Sequence, residues 1–283
     1  MYYGFLVASV LLFGMQFLFN RLFERECGNH AFATCVFNII CSVAGSIPIL
    51  IISGFRLSAT PFTLLIAGIN GALSVLYTLC CLKALTRINL SLFSVFTMLG
   101  GMLLPTLTGL IFYQEPLTVG KGVCILLVMV ALGITINRSE QRGGTLYYIG
   151  VFVLNGAFGV LSKIFESSPY PVTDEASYSL WIAIFAAGLS LVILPFSLKE
   201  KQKLSPRAIL YSAGYGLFNR VASYLSLLAL SVLPASLQYP FITGGTMVVS
   251  TLISILTGQK PNKREILSVA LATLAVILLV VLP

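Results

Sequence analysis

A single charged residue stands where charge is hard to keep. Arg220 lies near the centre of the apolar run 208–230, beside Asn219 and with Tyr215, Ser223 and Tyr224 close in sequence. A guanidinium at the middle of a bilayer costs from about 2.5 to more than 10 kcal/mol, so it must meet water, a partner or a ligand. Ser223 and Tyr224, at i+3 and i+4, share its helix face. Guanidinium pairs with carboxylate or phosphate through charge-assisted hydrogen bonds, often two at once. The chemistry expected here is therefore recognition of a ligand that bears an anionic group. The competing reading is a structural arginine, satisfied by a carboxylate or by helix carbonyls.

Other polar side chains interrupt other apolar runs. Gln16 and Asn20 sit one turn apart in the first run, Asn38 in the second, Asn70 and Tyr77 in the third, Asn155 in the sixth, and Gln238 with Tyr239 in the ninth. Taken singly, each is more often a helix–helix hydrogen bond, worth about 0.6 kcal/mol on average in membranes. Gln16, Asn20, Asn70, Tyr77, Gln238 and Tyr239 join Tyr215, Asn219, Arg220 and Tyr224 as the expected substrate-binding set. Two base–acid pairs, Arg21 with Glu24 and Lys163 with Glu166, are spaced i,i+3 at the ends of the first and sixth runs. On a plain surface such a pair is worth a few tenths of a kcal/mol; here the two are read as related gates. Trp181 reads as packing or an interface anchor.

Much chemistry is excluded. His30 is the only histidine and falls in a connection, so neither a catalytic triad nor a histidine zinc site can be built. The six cysteines form no CxxC pair, and five lie in apolar runs, where Cys behaves as a small hydrophobe. No GxxxxGK[ST] phosphate loop is present, which argues against an ATP-driven pump in this chain. All nine acids fall at run ends or in connections. Proton-coupled carriers commonly use an embedded carboxylate, so the pattern favours facilitated diffusion or exchange. No cofactor and no metal are expected.

The elements that position these residues are long apolar helices. Hydrophobic residues make up 58% of the 283 and charged residues 9%, with a mean hydropathy of +0.98. A soluble domain carries roughly 25% charged residues, whereas a lipid-facing surface needs almost none. Each spanning helix needs about 20 apolar residues, and continuous runs of that length rule out the alternating strands of a barrel. Ten spans follow: 2–22, 31–52, 62–84, 89–112, 117–137, 145–165, 176–197, 208–230, 233–257 and 265–282. The first shows neither a basic leader nor an Ala-x-Ala-like cleavage site, and is read as a retained helix. Connections are short and leave no room for a soluble domain. The net charge of +8 is spread over many of them rather than gathered in a patch, which fits lipid headgroups and topology, not nucleic acid. Thirteen of the 17 Lys and Arg fall in odd-numbered connections and three in even-numbered ones, Arg220 standing apart. This bias places the odd connections in the cytoplasm and both termini outside.

The chain also resembles itself. At a shift of 142, Asn20-Arg21-Leu22-Phe23-Glu24 lies over Ser162-Lys163-Ile164-Phe165-Glu166. At a shift of 145, Ala84-Leu85-Thr86 meets Ala229-Leu230-Ser231, Gly100 meets Gly245, and Gln114-Glu115-Pro116 meets Gln259-Lys260-Pro261. The expected organisation is a first five-helix repeat over 1–138, a connection over 139–144 and a second repeat over 145–283. An odd number of helices per repeat makes the copies inverted, the arrangement transporters use to expose a midplane site to each side in turn. The fold class expected is an all-α membrane protein with ten transmembrane helices, two inverted five-helix repeats around a central cavity.

The tail of each half carries a resemblance. Thr97 through Pro105, with Gly100 and Gly101, followed by Tyr113-Gln114-Glu115-Pro116-Leu117-Thr118 and Gly133, resembles the EamA-type repeat of the drug/metabolite transporter superfamily. The second half repeats it as Tyr239-Pro240, Gly244-Gly245 and Gln259-Lys260-Pro261-Asn262, with Lys260 where the family usually has an acid. The resemblance implies a ten-helix carrier of small metabolites, amino acids or drugs. Many members are thought to keep both termini in the cytoplasm, opposite to the charge count. The leading reading is a secondary transporter for a small metabolite with a carboxylate or another anionic group. It would be a multi-pass protein of the cell membrane, of bacterial inner-membrane type. Its partners would be substrate and lipid bilayer, without nucleic acid, as monomer or homodimer. The alternatives are an intramembrane enzyme acting on lipid and a non-transporting scaffold.

Overall fold

A computed structural model of the chain describes residues 2–27, 31–85, 90–134, 145–200, 204–256 and 263–282. The side chains of Arg21, Glu24 and 81–96 lie outside the described set, as do the connection 139–144 and Lys260. Among the described residues there are ten α-helices and no strand. They are α1 (Tyr2–Cys27), α2 (Ala31–Ile52), α3 (Pro61–Leu85), α4 (Leu90–Phe112), α5 (Val119–Ile134), α6 (Thr145–Glu166), α7 (Glu175–Ile193), α8 (Pro206–Leu230), α9 (Ala235–Leu256) and α10 (Lys263–Val281). Each expected span coincides with one helix to within a few residues. The ends that differ most are those of α1, which continues to Cys27, and of α7, which gives way to a 3-10 helix over Leu194–Glu200. Pro195 has no N–H to donate and its ring crowds the carbonyl one turn back, so the α-helix stops where it enters.

Five helices, α1, α2, α3, α6 and α7, hold stretches long and apolar enough to cross a membrane, and α4, α5 and α10 hold shorter apolar stretches. Outward-facing side chains agree: Val43, Ile47 and Ile51 on α2, Leu126 and Val130 on α5, and Leu210 and Leu217 on α8 are all exposed. A belt of that kind is unfavourable in water and neutral in lipid. α8 is as long as α3, but its Arg220, Asn219 and hydroxyls lower its hydropathy.

Helices pack chiefly across the sequence midpoint. α1 lies against α8 and α9, α6 against α3 and α4, α2 against α8, and α3 against α7. Three further pairs, α2 with α7, α4 with α9 and α5 with α10, join helices five apart in chain order. The two halves are thus interleaved and do not form separate bodies. The largest apolar core joins Leu6 and Val10 of α1, Met102 of α4, Cys124 and Val128 of α5, Met247 of α9 and Ala275 of α10. Small residues permit the closest crossings. A Cβ on Gly45 of α2 would stand 2.5 Å from the Gly216 carbonyl oxygen and 2.8 Å from the Arg220 Cβ. α2 and α8 can therefore touch backbone to backbone only without side chains there.

Candidate functional site

The interleaved helices enclose a cavity of about 540 Å³. α1 lines it with Phe13, Gln16, Asn20 and Phe23, spaced three and four apart on one face. α2 contributes Thr34, Phe37, Asn38, Cys41 and Ser42, and α3 contributes Asn70, Ser74, Tyr77 and Thr78. Thr97 and Gly101 of α4, Asn155, Phe158 and Ser162 of α6, and Tyr239, Thr243 and Thr246 of α9 continue the wall. α8 supplies Tyr215, Gly216, Asn219, Arg220, Ser223 and Ser226. Helices α5 and α10 contribute none of the lining and only buttress the others.

Arg220 is the one charged residue in this lining. It sits two residues past the midpoint of α8. One guanidinium nitrogen, Nη1, donates to the Ser179 carbonyl oxygen of α7 at 3.3 Å. Among the described residues the only ion pair lies elsewhere, so no described carboxylate neutralises this cation. Cys41 and Tyr215 are its electrostatic neighbours. The Cys41 thiol donates to the Ser212 carbonyl oxygen at 3.1 Å. Beside Arg220, the Asn219 amide donates to Gln16 Oε1 and ties α8 to α1. Phe23, Phe37 and Tyr215 form a ring cluster next to it, with centroids 4.6 and 4.9 Å apart. A carbonyl satisfies one of five guanidinium donors, and the rest remain for water or an anion in the cavity.

Other expected residues are spent partly on holding helices together. The Asn70 amide donates to the Tyr178 hydroxyl at 3.0 Å, and the Tyr239 hydroxyl to the Gly159 carbonyl oxygen at 3.0 Å. The Asn155 amide donates to the Thr97 carbonyl oxygen at 2.8 Å. Both hydrogen-bonding and lining roles are therefore combined in these side chains. Two expected residues are placed elsewhere. Gln238 is fully buried between α8 and α9, where its amide donates to the Ser226 carbonyl and hydroxyl oxygens. Tyr224 packs against Ile49, Ala176 and Leu180. Helical phase accounts for both: Gln238 is turned about 100° from Tyr239, and the cavity face of α8 continues through Ser223 and Ser226, leaving Tyr224 towards α7.

The lining lies in the later halves of α1 and α3 and the earlier halves of α2 and α4, which lean to the end of the bundle where the α1–α2 and α3–α4 connections lie. α6 and α8 line it mainly with their later halves and α9 with its earlier half, which lean to the other end of the bundle, so the cavity straddles the middle. The end that holds the α4–α5, α6–α7 and α8–α9 connections is tightly knit. Lys163, expected to pair with Glu166, pairs with Glu115 at 2.7 Å, and both side chains are nearly buried. Glu115 also accepts from the backbone N–H of Ala235 at 2.9 Å and Ser236 at 2.8 Å, capping α9. Burial pushes this carboxyl up, but the Lys163 ammonium and the α9 N–H groups outweigh it and hold it below the usual range. Lys163 also lies 5.2 Å above the Tyr113 ring. Gln114 adopts φ +51°, a left-handed conformation that costs about 1–3 kcal/mol in a residue with a side chain. That turn delivers Glu115 to α6 and α9. Sequence reasoning took Glu115 for part of a turn motif and missed this partnership.

Next to the ion pair, Phe165 and Tyr178 stack at 3.9 Å. Beyond them Asp174 caps α7 through the Ser177 N–H at 2.9 Å and accepts from the Ser58 hydroxyl at 2.8 Å. Burial raises the Asp174 carboxyl, but the donors from Ser177 and Ser58 prevail and keep it low. The side chains of Arg21 and Glu24, the other expected gate, lie outside the described residues.

Compared with known proteins, the chain matches no family model and no curated protein. It is similar to a solved structure described as "Crystal structure of protein", with a TM-score of 0.75 over 98% of this chain and 96% of that one. Sequence identity between them is 16%, so the likeness is one of fold.

Proposed function

We propose that the chain is a secondary transporter that carries a small metabolite with an anionic group by alternating access. The observation that carries this reading is Arg220: a cation in the middle of a long helix, in a cavity of about 540 Å³, with a backbone carbonyl as its hydrogen-bond partner. A charge kept in such a place by design marks a substrate path in membrane proteins. The lining holds hydroxyls, amides and one thiol but no His, Asp or Glu to activate them, which favours carriage over an intramembrane hydrolase.

The inverted repeat is supported by the packing. Exchanging each helix for the one five places along turns α1–α8 into α6–α3, α2–α8 into α7–α3 and α1–α9 into α6–α4, all of which are packed pairs. In this reading all ten helices span a cell membrane, of the EamA type within the drug/metabolite transporter superfamily. Glu115 and Lys163 close one end of the bundle. The charge bias puts the odd-numbered connections on the cytoplasmic side and the Glu115–Lys163 end outside. Because the halves are interleaved, alternation would move bundles that mix helices of both repeats.

The test is thermal stability of purified protein against a panel of small carboxylates, phosphates, amines and neutral metabolites. Ligand binding to the native state raises the melting point by mass action. Stabilisation by one anionic class, lost in folded Arg220→Ala, is expected. Stabilisation by neutral or cationic compounds alone, unchanged in the variant, would overturn the anion reading.

A further inference from the structure

Glu166 ends α6 one turn beyond Lys163, yet it makes no hydrogen bond or ion pair with a described residue, and its Oε1 is fully buried. The cation that helical spacing offers it is committed to Glu115. The groups that act on it are Lys163 on its own helix, Glu175 and Tyr178 on α7, and Tyr239 on α9, which Glu115 of the α4–α5 connection also reaches. Arg220 of α8 points to the cavity, and the described side chains of α3 and α4 bear no charge. An ionised carboxylate with a buried, donorless oxygen and a second carboxylate nearby is unfavourable, and uptake of one proton removes both penalties. Tyr178 accepts from the cavity residue Asn70 and is also an electrostatic neighbour of this carboxyl.

We propose that Glu166 is a proton-binding site that exchanges its proton for Lys163 when the closed end opens. With that end shut, Lys163 ammonium neutralises Glu115 carboxylate and Glu166 stays a carboxylic acid. On opening, the ammonium moves one helical turn from Glu115 to Glu166, Glu166 gives its proton to water at the opened face, and Glu115 remains a carboxylate on the α9 N–H groups. One proton then leaves per opening. This deepens the carrier reading, since it would couple the gate to a proton gradient. It also reverses the expectation of uncoupled diffusion, which rested on acids standing only at helix ends.

The experiment is pH-titrated infrared spectroscopy of purified protein without ligand, on wild type, Glu166→Gln, Glu115→Gln and Lys163→Gln, each confirmed folded by a monodisperse elution profile. Wild type should show the carbonyl band of a protonated buried carboxylic acid at neutral pH, absent in Glu166→Gln. Glu115→Gln frees Lys163 for Glu166, and the band should vanish at a pH lower by about one unit or more, the effect of one adjacent opposite charge. Lys163→Gln removes the competitor, and the band should persist to higher pH. Should either of these two variants fail to fold, the other still reads the exchange. A wild type without the band, or a band that Glu166→Gln leaves in place, overturns the site. A band indifferent to both Glu115→Gln and Lys163→Gln overturns the exchange. No substrate is used, so failure here is separate from failure of the anion test.

Discussion

Replacing Arg220 with Lys would keep the charge and remove the planar fork that holds an anion at two points. Losing one charge-assisted hydrogen bond, about 1.5–3 kcal/mol, should weaken binding of the stabilising anion by roughly ten- to a hundredfold. Isothermal titration would measure it; equal affinity in Arg220→Lys would mean that the fork is not used. Arg220 was legible in the sequence because a lone guanidinium in an apolar run has few explanations. The partnership of Glu115 with Lys163 was not, since the two are far apart in the chain and helical spacing offered Glu166 first. A one-dimensional pattern finds neighbours on one helix, and the choice between two acids was made by the turn at Gln114 and the N-terminus of α9. The aromatic wall of Phe13, Phe23, Phe37 and Phe158 was missed for a related reason: in apolar helices a phenylalanine facing a cavity looks like one facing lipid.

The element scale is where small residues and caps act. Gly216→Leu should force α2 and α8 apart, because a Cβ there meets the backbone of Cys41. Overpacking typically costs about 1–3 kcal/mol, to be read as a lower melting temperature; an unchanged value would deny the close crossing. Lys163→Met leaves the Glu115 charge with two N–H donors but no ion-paired cation, Lys121 acting only from farther off. Breaking a buried pair costs about 3–5 kcal/mol, and the retained donors put this variant at the lower end. Two carboxylates in connections, Glu115 and Asp174, are held below their ordinary values. A depressed folded value contributes stability above the unfolded one, about 3.9 for Asp and 4.3 for Glu, and loses it as pH falls through the folded one. Melting temperature should therefore fall on acidification below that range, and Asp174→Asn should flatten part of the fall. Helix positions were readable to a few residues because apolar runs of this length have one stable form in lipid, and the early stop of α7 at Pro195 is a visible exception. Which face of a helix meets the cavity was less readable. Tyr224 shares the side of Arg220 by spacing but packs beside Ile49, because only the neighbours decide where a face ends.

At the scale of the whole molecule, the repeat reads as two units in sequence and as one interleaved body in space. The helices of residues 1–138 find most of their packing partners among those of 145–283. A chain ending at residue 138 should therefore not accumulate as a stable protein, whereas both halves expressed together should co-purify. Stable accumulation of the first half alone would contradict the interleaving. The proposed inversion rests in the sequence on matched pentapeptides and an odd helix count, but interleaving has no sequence signature, since it depends on which apolar surfaces meet.

The central claim is carriage of an anion through the Arg220 cavity. Counterflow in proteoliposomes tests it most directly: vesicles loaded with the stabilising anion take up a labelled trace of the same compound only if a carrier exchanges the two across the bilayer. Wild-type vesicles should accumulate label well above protein-free vesicles, and folded Arg220→Ala should not. Stabilisation without counterflow, or counterflow unaffected by Arg220→Ala, would contradict the account.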